Sequence, residues 1–307
     1  MISANDNLEQ TAALRRRKGT VPTEGTRGQP SPDELQPARV ISVTSGKGGV
    51  GKTAMVANLA VAISRMKKKV LIIDADLSLA NIDLVYGLTP LYNLNHFFCG
   101  LIGLNEIIIE GPGGVKILPA GSGLQQMTRL NPRQKAQFME GLDRLDEQFD
   151  LVLIDTEAGI SENVTYFNAA AQDVLVVATS DPTSISAAYT LMKVLFLQYR
   201  QRKFQLVVNL VRDPDEGPQV FHKLTVAAGR FPDISINYLG CIPCDENVPE
   251  SLRRQKPFVD LYPDSSASVA LRSLAEGLLS LPRDLRLKGS LQFFWKSYLS
   301  MGKTECL

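Results

Sequence analysis

The chain has 307 residues, with 33 Lys and Arg against 32 Asp and Glu, and 44% of it is apolar. That length fits one large α/β domain or two small ones and can bury a sizeable core without covalent staples. The near-neutral total excludes a uniformly basic nucleic-acid binder, four Cys exclude a disulfide scaffold, and no run reaches the roughly 18–20 apolar residues of a membrane-spanning helix.

Residues 5–18 read as a short helix, with Asn5 or Asp6 as its cap and Leu8, Ala12 and Leu14 as a weak apolar side. The basic cluster Arg15–Arg17 stands at the wrong end for a secretory signal, which places the protein in the cytoplasm. Residues 19–37 are rich in Gly, Pro and Thr and read as a flexible linker. Its ~19 residues span on the order of 22–26 Å. Residues 38–282 form the body. Val- and Ile-rich runs recur there at Val40–Val43, Val70–Ile73, Val115–Leu118, Leu151–Ile154, Val174–Ala178, Gln205–Asn209 and Tyr238–Ile242, mostly separated by helix-like stretches. Short runs apolar throughout suit strands buried on both faces. The expectation is a single doubly wound α/β domain, its mostly parallel sheet covered by helices on both sides. Residues 283–307 form a basic tail that holds the single Trp.

The strongest motif is Gly46-Lys47-Gly48-Gly49-Val50-Gly51-Lys52-Thr53, which runs from the strand Val40–Val43 into a helix predicted over Thr53–Arg65. It has the G-x-x-x-x-G-K-[ST] form of a phosphate loop. Its glycines let backbone N–H groups turn inward around phosphates, and the helix, starting with Thr53 and Ala54, offers its positive end to the anion. Lys52 is expected on the β- and γ-phosphates and the Thr53 hydroxyl on Mg²⁺. ATP and Mg²⁺ are therefore the expected cofactors. Two carboxylate clusters follow at strand ends, where residues point into the ligand crevice. One is Asp74-Ala75-Asp76 after Val70–Ile73, and the other is Asp155 after Leu151–Ile154, which has the Walker B form.

The extra Lys47 makes this loop similar to the deviant phosphate loop of the MinD/ParA family of dimeric ATPases. The resemblance implies a P-loop NTPase of the SIMIBI class that sandwiches ATP in a homodimer, with Lys47 reaching the partner's phosphates. Asp74, Asp76, Asn81 and Asp83 resemble the family's first switch. Carried over, Asp76 positions the attacking water, Asp74 and Asp155 lie in the outer shell of Mg²⁺, and Asn81 lies near the dimer seam. Thr156-Glu157-Ala158-Gly159 resembles the second switch, with Gly159 donating to the γ-phosphate, but Glu157 stands where the cell-division member has Pro. Asn209 ends a predicted strand, and its amide can pair with adenine. Leu239 to Asp245 resembles the family's G-x-I-P-x-D segment, which makes Pro243 and Asp245 base-site candidates. Cys241 and Cys244 form a C-x-x-C, but no second Cys pair or suitably spaced His completes a metal site, so they read as incidental thiols.

Both ends carry further signals. Leu291, Phe294, Trp295, Tyr298 and Leu299 share one helical face beside Lys288, Lys296 and Lys303. That pattern suits a helix lying on anionic lipid or, alternatively, one docked on its own domain. Glu9 to Arg15 resembles the D-Q-A-x-x-L-R segment of flagellar-number ATPases of the FlhG (FleN) type. In that family the segment docks on the FlhF GTPase and stimulates it through its Gln. Here Gln10 takes that role, with Leu14 and Arg15 as docking contacts.

The resemblance implies an ATPase that controls flagellar number and placement and associates reversibly with the inner face of the cell membrane. It leaves flagellar rotor C-ring proteins as further partners and requires no specific DNA binding. Two other classes stay open. One is a ParA-type partition ATPase binding DNA non-specifically, and the other is a nucleotide-dependent scaffold for cluster assembly. The charge divides by region. Residues 283–307 carry five Lys and Arg against Asp284 and Glu305, and residues 1–20 carry four against Asp6 and Glu9. Two basic ends thus flank an acidic body.

Overall fold

The computed structural model describes residues 38–76, 82–119 and 148–282, with positions 133, 137, 140, 141 and 145 between them. Eight strands form one sheet: β1 (Arg39–Ser45), β2 (Val70–Ala75), β3 (Ile109–Glu110), β4 (Lys116–Pro119), β5 (Leu151–Ala158), β6 (Asp173–Ala178), β7 (Lys203–Val211) and β8 (Ser235–Pro243). Their spatial order is β3-β4-β2-β5-β1-β6-β7-β8. All pairs are parallel except β3–β4. All seven predicted strands are present. The short edge strand β3 was not predicted. It forms because the turn Gly111–Gly114, carried by left-handed Gly113 and Gly114, folds Ile109 back onto Ile117.

Alternation along each strand builds the core. Ile41, Val43, Ile72, Leu153 and Val177 face one side, together with helix α1 (Lys52–Arg65) and the last described helix. Val40, Leu71, Ile73, Val152 and Ile154 face the other, where Tyr166 and Phe167 of helix Glu162–Ala170 cover them. Val174, Val176 and Leu206 continue that second face under helix Pro182–Tyr199, through Ala188, Leu191 and Leu195. Each of these fully buried aliphatic side chains contributes about 1.5–3 kcal/mol relative to exposure. Burial on both faces leaves the strand ends as the places for polar chemistry. At the sheet centre Ser42 and Thr44 of β1 are buried, and both hydrogen-bond Asn168, so no polar group is lost there.

One ion pair ties the ends of the domain together. Arg39, 2% exposed at the start of β1, donates to Asp173 at 2.8 Å and to the carbonyls of Leu278 and Leu281. The C-terminal end of helix Ser266–Ser280 is thereby pinned to the N-terminal end of the central strand. Among the described residues no helix is long and apolar enough to cross a membrane.

Candidate active site

β1 delivers the chain to the loop Gly46–Gly51, and α1 begins at Lys52 with left-handed Gly51 as its cap residue. No side chain caps this helix, so its first N–H groups stay available to an anion. Gly49 and Gly51 have φ of 77° and 80°, conformations that favour glycine. Gly46 is required for another reason. A Cβ there would overlap the backbone of Ala187 in helix Pro182–Tyr199.

Lys52 is buried and donates to Asp155 Oδ1 at 2.5 Å. Asp155 is 1% exposed, and its Oδ2 is buried without a hydrogen-bond partner. Burial pushes the Asp155 carboxyl up, while the Lys52 ammonium and the Thr53 hydroxyl pull it down, and the nearby Asp76 charge adds to the rise. Asp74 is level with Asp155 on the adjacent strand. Its two oxygens accept from the N–H groups of Asp76 and Ile82. Asp74 therefore holds both flanks of the 77–81 segment. Asp76 itself is half-buried at the end of β2. An orphaned buried carboxylate oxygen next to a threonine hydroxyl suits a hard divalent cation and its waters, so these residues fit Mg²⁺.

Lys47 lies at the outer rim. It donates to Asp181 Oδ2 at 2.5 Å and to the Thr183 hydroxyl at 2.6 Å. Asp181 also caps the helix Pro182–Tyr199 by accepting from Thr183 N–H. Together these partners, Lys47 first, hold the Asp181 carboxyl down at about 2. The pair is about half exposed and adds little to stability. A cavity of about 310 Å³ opens beside it, lined by Lys47, Gly49, Asp181, Leu210 and Arg212 among others. Asp181 and Thr183 were missed by the sequence reading. Their signal was the Asp-Pro pair, which marks the start of a helix.

Three of the expected nucleotide contacts make bonds within the fold. The Asn209 side-chain amide donates to the Val50 carbonyl at 2.7 Å, which braces the phosphate loop with one of its two N–H donors. Asp245 accepts from Asn247 with one oxygen and from Ser266 and Ala267 with the other, which spends the carboxylate on joining its loop to the last helix. Burial would raise that carboxyl, but the bonds from Ala267, Asn247 and Ser266 outweigh it and leave it lowered. The Gly159 N–H donates to the Ser45 carbonyl at 2.8 Å rather than into the site. With Glu157 in place of Pro, β5 keeps its backbone donors and runs on to Ala158, level with Ser45. Pro243 ends β8 opposite Val211. Asn81, Gln10, Leu14, Arg15, Leu291, Phe294, Trp295, Tyr298 and Leu299 lie outside the described residues. Cys241 and Cys244 are free thiols.

Residues 38–207 match a family model described as an AAA domain. The chain is 40% identical over 260 residues to the antiactivator FleN of Pseudomonas aeruginosa, spanning 85% of this chain and 93% of that protein. It is 29% identical over 270 residues to the flagellum site-determining protein YlxH of Helicobacter pylori, spanning 85% and 90%. The septum site-determining protein MinD of Pyrococcus horikoshii, solved with Mg-ADP, superposes with a TM-score of 0.63 at 26% identity, over 79% of this chain and 96% of that one.

Proposed function

The chain belongs to the MinD/ParA-type ATPases, alongside the flagellar members FleN and YlxH, and we propose that it sets flagellar number and placement as an ATP-driven dimer. The observation that carries this reading is the placement of the two loop lysines. Lys52 is turned inward onto Asp155, while Lys47 stands at the rim on Asp181 and Thr183. One cation serves the chain's own phosphates. In this reading ATP binding releases the other from Asp181, and a second copy receives it.

In this reading the N–H groups of Gly48 to Thr53 cradle the phosphates and Lys52 exchanges Asp155 for the β- and γ-oxygens. Thr53 would hold Mg²⁺ through its hydroxyl, and Asp155 and Asp74 would support the ion through water. The ion supplies charge neutralisation across the phosphates. Asp76 orients the attacking water in line with the γ-phosphate. Phosphoryl transfer is mostly positioning and charge stabilisation, so the site becomes competent only when Lys47 arrives from the partner. Basal turnover is accordingly slow. ATP-bound dimers place the tail face Leu291, Phe294, Trp295, Tyr298 and Leu299 on anionic lipid, and the N-terminal segment with Gln10, Leu14 and Arg15 stimulates the FlhF GTPase. Rotor C-ring proteins are further partners, and no specific DNA binding is required.

The test is oligomeric state with ATP. Asp76→Ala should form dimers that persist, and an Asp76→Ala protein that binds ATP yet stays monomeric would sink the cycle. A peptide of residues 1–18 should raise GTP hydrolysis by FlhF, and the Gln10→Ala peptide should not. Retention on DNA without retention on anionic vesicles would favour a partition ATPase instead.

A further inference from the structure

A second cavity, of about 730 Å³, opens at the end of the sheet opposite the phosphate loop. Four lysines line it: Lys67, Lys68 and Lys69 in the turn after α1, and Lys116 on β4. Ser64 and Asn105 add polar groups, and Val70, Ile108 and Phe149 form an apolar wall. Its level follows from strand register. Val70 pairs with Leu151, which pairs with Arg39 on β1, so the cavity sits at the N-terminal ends of the strands.

Helix stabilisation alone does not account for these charges. A cation in the last turn suits the negative end of a helix, and Arg65 already provides one for α1. Lys67 moreover holds a left-handed backbone, φ 61°, at a position where glycine or asparagine is the usual occupant. Two carboxylates lie close: Glu110 pairs with Lys116, and Asp150 accepts from the Lys69 backbone N–H. Among the described residues, four ammonium groups against these two carboxylates leave the lining positive. Exposed Lys67, Lys68 and Lys69 supply the excess.

The described part of the chain ends at the same end of the sheet. Helices α1 and Ser266–Ser280 pack together, and both run from the phosphate-loop end to this one. Arg39 holds Leu278 and Leu281 beside the start of β1, so the described residues end, at 282, at the end of the sheet that carries the lysine cavity. The neighbouring strands β1, β5 and β2 span only about 10 Å in total.

We infer that this cavity is a headgroup site for an anionic phospholipid, in which the lysines take the phosphate ester and the apolar wall meets the glycerol and first methylenes. The ATPase body then touches the bilayer directly, beside the inserted tail. This rests on the membrane reading of the tail given above. Free phosphate esters share the chemistry, but a tail bound to lipid, as proposed above, would bring this end of the sheet to a bilayer.

The test is sedimentation of the full chain, with ATP, on vesicles of phosphatidylcholine alone or mixed with phosphatidylglycerol. Two variants are compared with the parent: Lys67→Gln/Lys68→Gln/Lys69→Gln in the cavity, and Phe294→Glu/Trp295→Glu in the tail. ATP binding serves as the folding control for both. A lysine near an anionic surface is worth roughly fivefold in affinity, so the triple variant should lose up to about 100-fold of the gain due to phosphatidylglycerol. Its residual binding to phosphatidylcholine should be unchanged. The tail variant should bind all vesicles more weakly yet keep its preference for phosphatidylglycerol. A triple variant that sediments with phosphatidylglycerol like the parent overturns the inference. A parent that binds no vesicle overturns the tail reading, and the cavity is then read by titrating the full chain with glycerol 3-phosphate. Saturable binding lost in the triple variant would overturn the lipid assignment in favour of a soluble phosphate ester. No binding would overturn the site altogether.

Discussion

The buried Lys52–Asp155 pair gives the sharpest test of the site. Both side chains are almost fully out of water, 7% and 1% exposed, and they meet at 2.5 Å. Asp155→Asn keeps the shape and removes the anion, leaving the Lys52 ammonium buried beside an amide. Removing one partner of a buried pair costs about 3–5 kcal/mol, because the remaining charge has lost its compensation. For a domain of this size, where ~1 kcal/mol moves Tm by about 2–4 °C, the nucleotide-free variant should melt roughly 6–20 °C below the parent. Scanning calorimetry without nucleotide measures this directly. The double variant Lys52→Met/Asp155→Leu removes both charges and should recover most of the loss, since a neutral pair of similar volume carries no desolvation penalty. ATP binding to the single variant should also recover part of it, because phosphates resupply an anion to Lys52, and a ligand at about 100 times its Kd adds about 2.7 kcal/mol. An Asp155→Asn protein that melts with the parent in the absence of nucleotide would refute the reasoning. So would a double variant less stable than the single one.

Two further outcomes follow from the rim and the loop. The Asp181 carboxyl is lowered from 3.8 to about 2 by Lys47 and Thr183, so the contact is present above the unfolded value of 3.8 and is lost as pH falls through about 2. Carboxyl ¹³C titration should find that midpoint, and Lys47→Ala should return it toward 3.8; a midpoint unmoved by Lys47→Ala removes the latch on this lysine. Gly46→Ala places a Cβ against the Ala187 backbone, which cannot yield without moving the helix Pro182–Tyr199. It should weaken ATP binding at least about tenfold, a loss of ~1.4 kcal/mol, as read by titration calorimetry; unchanged affinity would mean that the loop and helix do not pack as closely as they do here.

Much of the site was legible along the chain because its parts are local. A phosphate loop is a run of backbone conformations, and Gly49 and Gly51 take the left-handed geometry that their residue type permits. Asp74 and Asp155 could be placed because each follows the apolar run of its strand, toward the C-terminal edge of the sheet where open α/β folds bind ligands. The roles of Asn209, Asp245 and Gly159 were not legible in the same way. Each carries a polar group able to serve a nucleotide, and each also makes a bond within the fold. Asn209 reaches Val50 across 159 positions, and Asp245 ties its loop to Ser266 and Ala267. Residue type says what a group can bond; only the assembled chain says what stands next to it.

The sequence by itself determined a doubly wound sheet, its seven longer strands, a loop for phosphate and the carboxylates behind it. Alternation, glycine placement and strand-end acids are short-range properties. The tertiary structure decided where the two loop lysines rest. It put Lys52 on Asp155 and Lys47 on Asp181, pairings 103 and 134 positions apart. It also gathered Lys67–Lys69 and Lys116 around one cavity at the end of the sheet opposite the phosphate loop. A single positive charge for the whole chain is an average over such surfaces. Charges act through distance and burial, and both are set by packing.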